Sequence, residues 1–98
     1  MTITKEINGS KLLLKISGRL DTASSPELQE VLNNSLDGAA SLVLDLKELE
    51  YISSSGLRVL LSAYKSMSGK EGMIVKNVNE TVMEVFEITG FSDILSIE

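Results

Sequence analysis

The stretch Tyr51 to Leu57 reads YISSSGL, three consecutive serines and a glycine followed by an apolar run. A helix start needs one hydroxyl as its cap. The surplus raises the question of whether a hydroxyl is used for chemistry. A serine nucleophile does not fit, because Ile52-Ser53-Ser54-Ser55-Gly56 lacks the first glycine of the G-x-S-x-G elbow and the chain contains no histidine to serve as base. The commonest metal ligand is missing with it. Cysteine is also absent, which excludes thiolate chemistry and disulfides. Neither G-x-x-x-x-G-K-[ST] nor G-x-G-x-x-G occurs, so the common phosphate-cradling loops are not available. A non-enzyme is expected, with no cofactor and no metal site.

Modification of the protein itself suits the serine run better. A phosphoserine carries about −1.5 to −2 charges at neutral pH, and the first turn of a helix tolerates an anion best, because free N–H groups and the positive end of the dipole meet it there. Gly56 adds a second signal. Glycine inside a helix costs about 0.8–1 kcal/mol relative to alanine, which suggests close approach by another chain or room beside the hydroxyls. The plainer reading is that Ser53 caps and the other hydroxyls are merely tolerated; local physics leaves both open. Asp45, which ends the run LVLDL, invites comparison with the phosphate-accepting aspartate of a receiver domain. That comparison fails for want of an acidic pair after an earlier strand, and an Asp ending a strand and capping a turn is the simpler expectation.

The elements that position these residues are readable from periodicity. Residues 2–7 and 11–17 alternate, and Asn8-Gly9 between them is a strong hairpin signal. After the loop GRLDTAS, Ser25 is expected to cap a helix with Pro26 first in it, a stripe of Leu28, Val31, Leu32 and Leu36, and Gly38 in the left-handed position at its end. Residues 42–46 and 73–76 read as strands covered on both faces. KELEY between Asp45 and the serines reads as a polar connection. The second helix shows Leu57, Leu60, Leu61 and Tyr64 at helical spacing and ends near Gly69. The third carries Val82, Val85 and Phe86 and stops at Gly90, before a short final element ILSI. The predicted fold is therefore α/β, one domain over residues 1–98 with a mixed sheet and three to four helices, in the order β-β-α-β-α-β-α with a final β.

Composition narrows the partners. Fourteen acidic against nine basic residues give a net charge of −5, and the aromatic residues are two Tyr and two Phe. Neither a cationic footprint for phosphates nor a stacking platform for bases is present, so nucleic acid is not expected. The longest apolar runs fall far short of the roughly 18 residues of a membrane span. No secretory signal is visible at the N-terminus, so the chain is expected to stay in the cytoplasm.

The segment DLKELEYISSSGLRVLL, with GRLDTASSPELQEVL upstream and TGFSDIL near the end, resembles the STAS domain, in particular the bacterial anti-sigma factor antagonists. The resemblance covers essentially the whole chain. The family pattern after the third strand is commonly Asp-Ser-Ser-Gly or Asp-Ser-Ala-Gly followed by Leu, and its phosphoacceptor is the serine after the Asp. By position that serine is Ser54, with Ser53 standing where the pattern has Asp and with Ser53 and Ser55 as minor candidate sites. The resemblance implies a protein–protein switch, in which the unphosphorylated protein binds a GHKL-type anti-sigma serine kinase and is released once that kinase has phosphorylated it. The resemblance implies in turn a PP2C-type phosphatase that resets it. The contact it implies centres on Ser53, Ser54, Ser55, Gly56 and Arg58, rimmed by Asp21 and Thr22. An unmodified STAS assembly module of a transporter or a stress-signalling complex is the alternative.

Overall fold

The computed structural model describes residues 1–98. A hairpin of β1 (Thr2–Asn8) and β2 (Lys11–Leu20) leads into α1 (Ser25–Ser35), β3 (Ser41–Asp45), β4 (Leu49–Ile52), α2 (Ser54–Met67), β5 (Gly72–Lys76) and α3 (Glu80–Thr89). A 3-10 turn (Phe91–Asp93) and β6 (Ser96–Ile97) complete the chain. The sheet runs β1-β2-β3-β5-β6, with β4 pairing the far end of β2. Only β1 and β2 are antiparallel, so β2, β3, β4 and β5 end on the same edge.

The mixed α/β fold and its hairpin match the expectation, with Gly9 at φ +65° in the turn. The order does not, because β4 forms where KELEY and the following residues read as a connection. Leu49 and Ile52 are buried while Glu50 and Tyr51 between them are exposed. A register shift between Gly18 and Arg19 on the partner strand produces this spacing and hides the alternation that betrays a strand.

The strands are also not covered on both faces. Leu12, Leu42 and Met73 lie in one row across the sheet and Leu14, Leu44 and Val75 in the next, all buried. These rows join Leu28, Leu32, Leu60, Met67, Val82 and Phe86 in one continuous core. The opposite face presents Leu13, Val43 and Ile74, which are half-buried. A short apolar run cannot distinguish these two situations, since Val43 and Ile74 look the same in either.

Helix α2 is rotated from its expected setting. Gly56, Val59, Leu60, Ala63 and Met67 are buried together with Leu57, whereas Leu61 and Tyr64 are half-exposed. Small residues at 56 and 63 let the helix lie close to the sheet, and proximity rather than side-chain size selects the buried stripe. At α1, Ser25 is the first helical residue and not the cap, which falls on Ser24, so Pro26 is second. Gly38 does not take a left-handed conformation; Leu36 ends α1 with helical dihedrals. The Lys70 ammonium, from after α2, donates to the carbonyls of Leu36 (2.8 Å) and Ala39 (2.9 Å) and neutralises that end of the dipole. Gly90 ends α3 at φ +83°, as expected.

Candidate functional site

The site lies where two connections leave the common edge of the sheet. Gly18, at φ +88°, and the neighbouring shift of register turn the tip of β2, and the Gly18 N–H donates to the carbonyl of Glu48 at 3.0 Å. Beyond the shift, Leu20 and Ile52 are paired and buried, while Arg19 and Tyr51 are paired and exposed. The guanidinium of Arg19 lies 4.3 Å from the centre of the Tyr51 ring, a cation–π contact. Its Nε is 3.9 Å from a carboxylate oxygen of Asp21.

Asp21 organises the first loop. One carboxylate oxygen accepts from the N–H groups of Ala23 and Ser24, both at 3.1 Å, and the Ser24 hydroxyl accepts from Asp21 N–H at 2.9 Å while its one proton is shared between Arg19 O at 2.7 Å and the same Asp21 carboxylate oxygen at 3.1 Å. The Ser25 hydroxyl donates to the Asp21 carbonyl. The Ser24 N–H above all holds the Asp21 carboxyl below its usual range; the Ser24 hydroxyl, the Ala23 N–H and Arg19 add to this and outweigh the loss of hydration.

The second connection is the start of α2. Ser53 is extended (φ −97°, ψ 176°), its N–H donates to Leu20 O at 2.9 Å, and its hydroxyl accepts from Gly56 N–H at 3.4 Å. Ser53 is therefore the cap, as anticipated. Ser54 follows as the first helical residue, exposed, and its hydroxyl makes no hydrogen bond within the chain. Ser55 turns toward the first loop, where its hydroxyl lies 3.2 Å from that of Thr22. One turn on, Arg58 is exposed and makes no ion pair.

Gly56 has a different place from the one anticipated. A Cβ there would sit 2.8 Å from Leu20 Cγ, 2.9 Å from Ile52 Cγ1 and 3.0 Å from Leu20 O. The close approach that requires glycine is made by the protein's own β2 and β4, and Gly56, being buried, has no side to offer a partner. Asp21, Thr22, Ser53, Ser54, Ser55 and Arg58 are brought together around it. Arg19 and Tyr51, unremarked in the sequence, adjoin them. The signal that would have found them is the strand β4, from which the pairing of Tyr51 with Arg19 follows.

Chemically the surface offers hydroxyls, one free guanidinium and a helix start, with no base beside Ser54. None of the concave regions of the surface includes residues 53–58. A polar depression of about 480 Å³ lies between the strand ends instead, lined by Lys15, Ser17, Asp45, Lys47 and Asn77 among others. There Asp45 accepts from Lys47 N–H (3.1 Å) and the Asn77 amide (3.0 Å), the strand-ending role foreseen for it. Burial pushes its carboxyl up, but these hydrogen bonds with Lys76 and Lys15 leave it lowered on balance. A hydroxyl-rich surface without a cavity fits a protein partner better than a small molecule.

The STAS domain family model matches residues 2–98. The anti-sigma-B factor antagonist of Bacillus subtilis is 32% identical over 91 residues, covering 92% of this chain and 84% of its own. Among solved structures, an anti-sigma factor antagonist from Mycobacterium paratuberculosis superposes with a TM-score of 0.88 at 23% identity, covering 98% of this chain and 83% of that one. The Bacillus cell fate determinant SpoIIAA in its phosphorylated form gives a TM-score of 0.77 at 16% identity, covering 99% and 91%.

Proposed function

This chain belongs to the STAS domain family, and from that premise we propose that it is an anti-sigma factor antagonist switched by phosphorylation of Ser54. The observation that carries the reading is the state of that one hydroxyl: exposed, unbonded, first in α2, and flanked by a cap that works without it. The likeness in sequence to the Bacillus subtilis antagonist over nearly the whole chain supports the same reading.

In this account the unphosphorylated protein acts in the cytoplasm and docks on a GHKL-type anti-sigma serine kinase through Ser53, Ser54, Ser55 and Arg58, with Asp21 and Thr22 at the rim. The protein is the substrate and not an enzyme. The kinase transfers the γ-phosphoryl group of ATP: the Ser54 Oγ–P bond forms, the bond to the ADP oxygen breaks, and the hydroxyl proton passes to a base of the kinase. The absence of any base beside Ser54 is consistent with this division of labour. A PP2C-type phosphatase hydrolyses the ester and restores binding.

The magnitude suffices. A like charge at about 4 Å with an effective dielectric of about 20 costs on the order of 4 kcal/mol per unit charge pair. Half of that weakens binding about 30-fold, since about 1.4 kcal/mol is tenfold. The fold need not change, because the cap hydroxyl belongs to Ser53 and the new charge meets the positive end of a helix.

Titration calorimetry with the cognate kinase tests the proposal. Wild type and Ser54→Ala should bind alike, Ser54→Ala should accept no phosphate from ATP, and the phosphorylated chain should bind at least about 30-fold more weakly by the arithmetic above. Equal phosphorylation of wild type and Ser54→Ala would exclude Ser54 as the acceptor.

A further inference from the structure

We infer that Arg58 is the built-in receiver of the Ser54 phosphate, so that phosphorylation withdraws a free cation from the docking surface as well as adding an anion to it. This rests on the reading of Ser54 as acceptor and specifies how the modification acts.

Ser54 and Arg58 stand four residues apart in α2, both exposed. Residues at that spacing are neighbours on one helix face, about 5–6 Å apart at Cβ. Side chains on a helix lean toward its N-terminus, so the turn that carries Ser54 lies within reach of the guanidinium at 58. Nothing competes for it. The other residues three or four positions away on α2 are Ser55, Leu61 and Ser62, none of them acidic. The carboxylate of the adjoining loop, Asp21, already accepts from Ala23 and Ser24 and lies beside Arg19. Lys15–Glu6 and Arg19–Asp21 are the chain's ion pairs, and Arg58 is in neither. The cation–π contact likewise uses Arg19, not Arg58.

A phosphate on Ser54 supplies the acceptor that Arg58 lacks. Guanidinium matches phosphate with parallel N–H donors, a geometry an ammonium does not offer. The unmodified surface thus presents a guanidinium free to meet a carboxylate of the kinase, and the modified surface presents an internally paired phosphate with residual negative charge.

The test uses the full chain with phosphoserine placed at position 54 during translation, which makes it independent of any kinase. The second ionisation of a phosphoserine falls near pH 6, and phosphorus NMR follows it directly. With Arg58 present the midpoint should lie about half a pH unit lower than in Arg58→Ala, the size expected of one exposed charge pair. Arg58→Lys should keep only part of the difference, and about 1 M salt should abolish it. Equal midpoints in wild type and Arg58→Ala at low salt would overturn the inference while leaving the Ser54 switch standing. Conversely, a kinase that binds the phosphorylated and unphosphorylated chains equally would defeat the switch and leave this titration unchanged.

Discussion

Helices α2 and α3 start at the same edge of the sheet and each begins with a polar cap, but they use their polar groups differently. Asn79 caps α3 with a 2.8 Å hydrogen bond from Val82 N–H, and its amide also donates to Leu49 O at the start of β4. Glu80 places a carboxylate in the first turn, toward the positive end of the dipole. Every favourable role at that helix start is filled. At α2 the cap bond from Gly56 N–H to Ser53 is longer, 3.4 Å, and the first turn holds no acidic residue. Ser54 is left over. One helix start has its first-turn anion built in, and the other leaves that place empty.

This contrast can be broken in order of expected effect. The largest change should come from beneath α2. Gly56→Val places branched atoms against Leu20 and Ile52 and should destabilise by about 3 kcal/mol in denaturant unfolding. A loss under about 1 kcal/mol would mean that α2 can lift from the sheet, and that its start is not held in a fixed place. Asn79→Ala comes next at about 2 kcal/mol, because it removes a cap and leaves the Leu49 carbonyl without that donor. Ser53→Ala should cost about 1 kcal/mol or less, its bond being the longer one. If Ser53→Ala proved as costly as Asn79→Ala, the two starts would be equally structural and the contrast would fail.

Asp21→Asn should do less again at neutral pH and show itself in acid. The folded carboxyl is lowered from 3.8, so its contribution is present above that value and lost as pH falls through the lower folded one. Thermal melts across that window should therefore show a flatter acid limb in the variant. Smallest of all is Ser54→Ala, expected within about 0.5 kcal/mol of wild type by melting or denaturant. A larger loss would assign the hydroxyl a structural role that the hydrogen bonding does not contain.

What could be read in the sequence follows the range of the interactions. The start of α2 was legible because its signals are local: Ser53 caps three residues before Gly56, and an apolar helix follows. The hairpin was legible for the same reason, through Asn8-Gly9. Features set by residues distant in sequence were not. Gly56 announced a close approach but could not say that Leu20 and Ile52 make it, and the Thr22–Ser55 contact is invisible until the two loops are folded together. The cap expected at Ser25 moved to Ser24 because Asp21 draws both serines into its own turn. Strand β4 escaped because a shift of register breaks the very alternation by which strands are recognised, and Arg19 and Tyr51 were missed with it.

The proposed switch rests on one atom, the Ser54 hydroxyl oxygen, and fragmentation mass spectrometry of the protein recovered from its native cells reads its state. Phosphate on Ser54 is expected, at an occupancy that changes with growth conditions. Phosphate confined to other residues, or none on Ser53, Ser54 or Ser55 in any condition, would contradict it and leave the serine run as a helix cap with two spare hydroxyls.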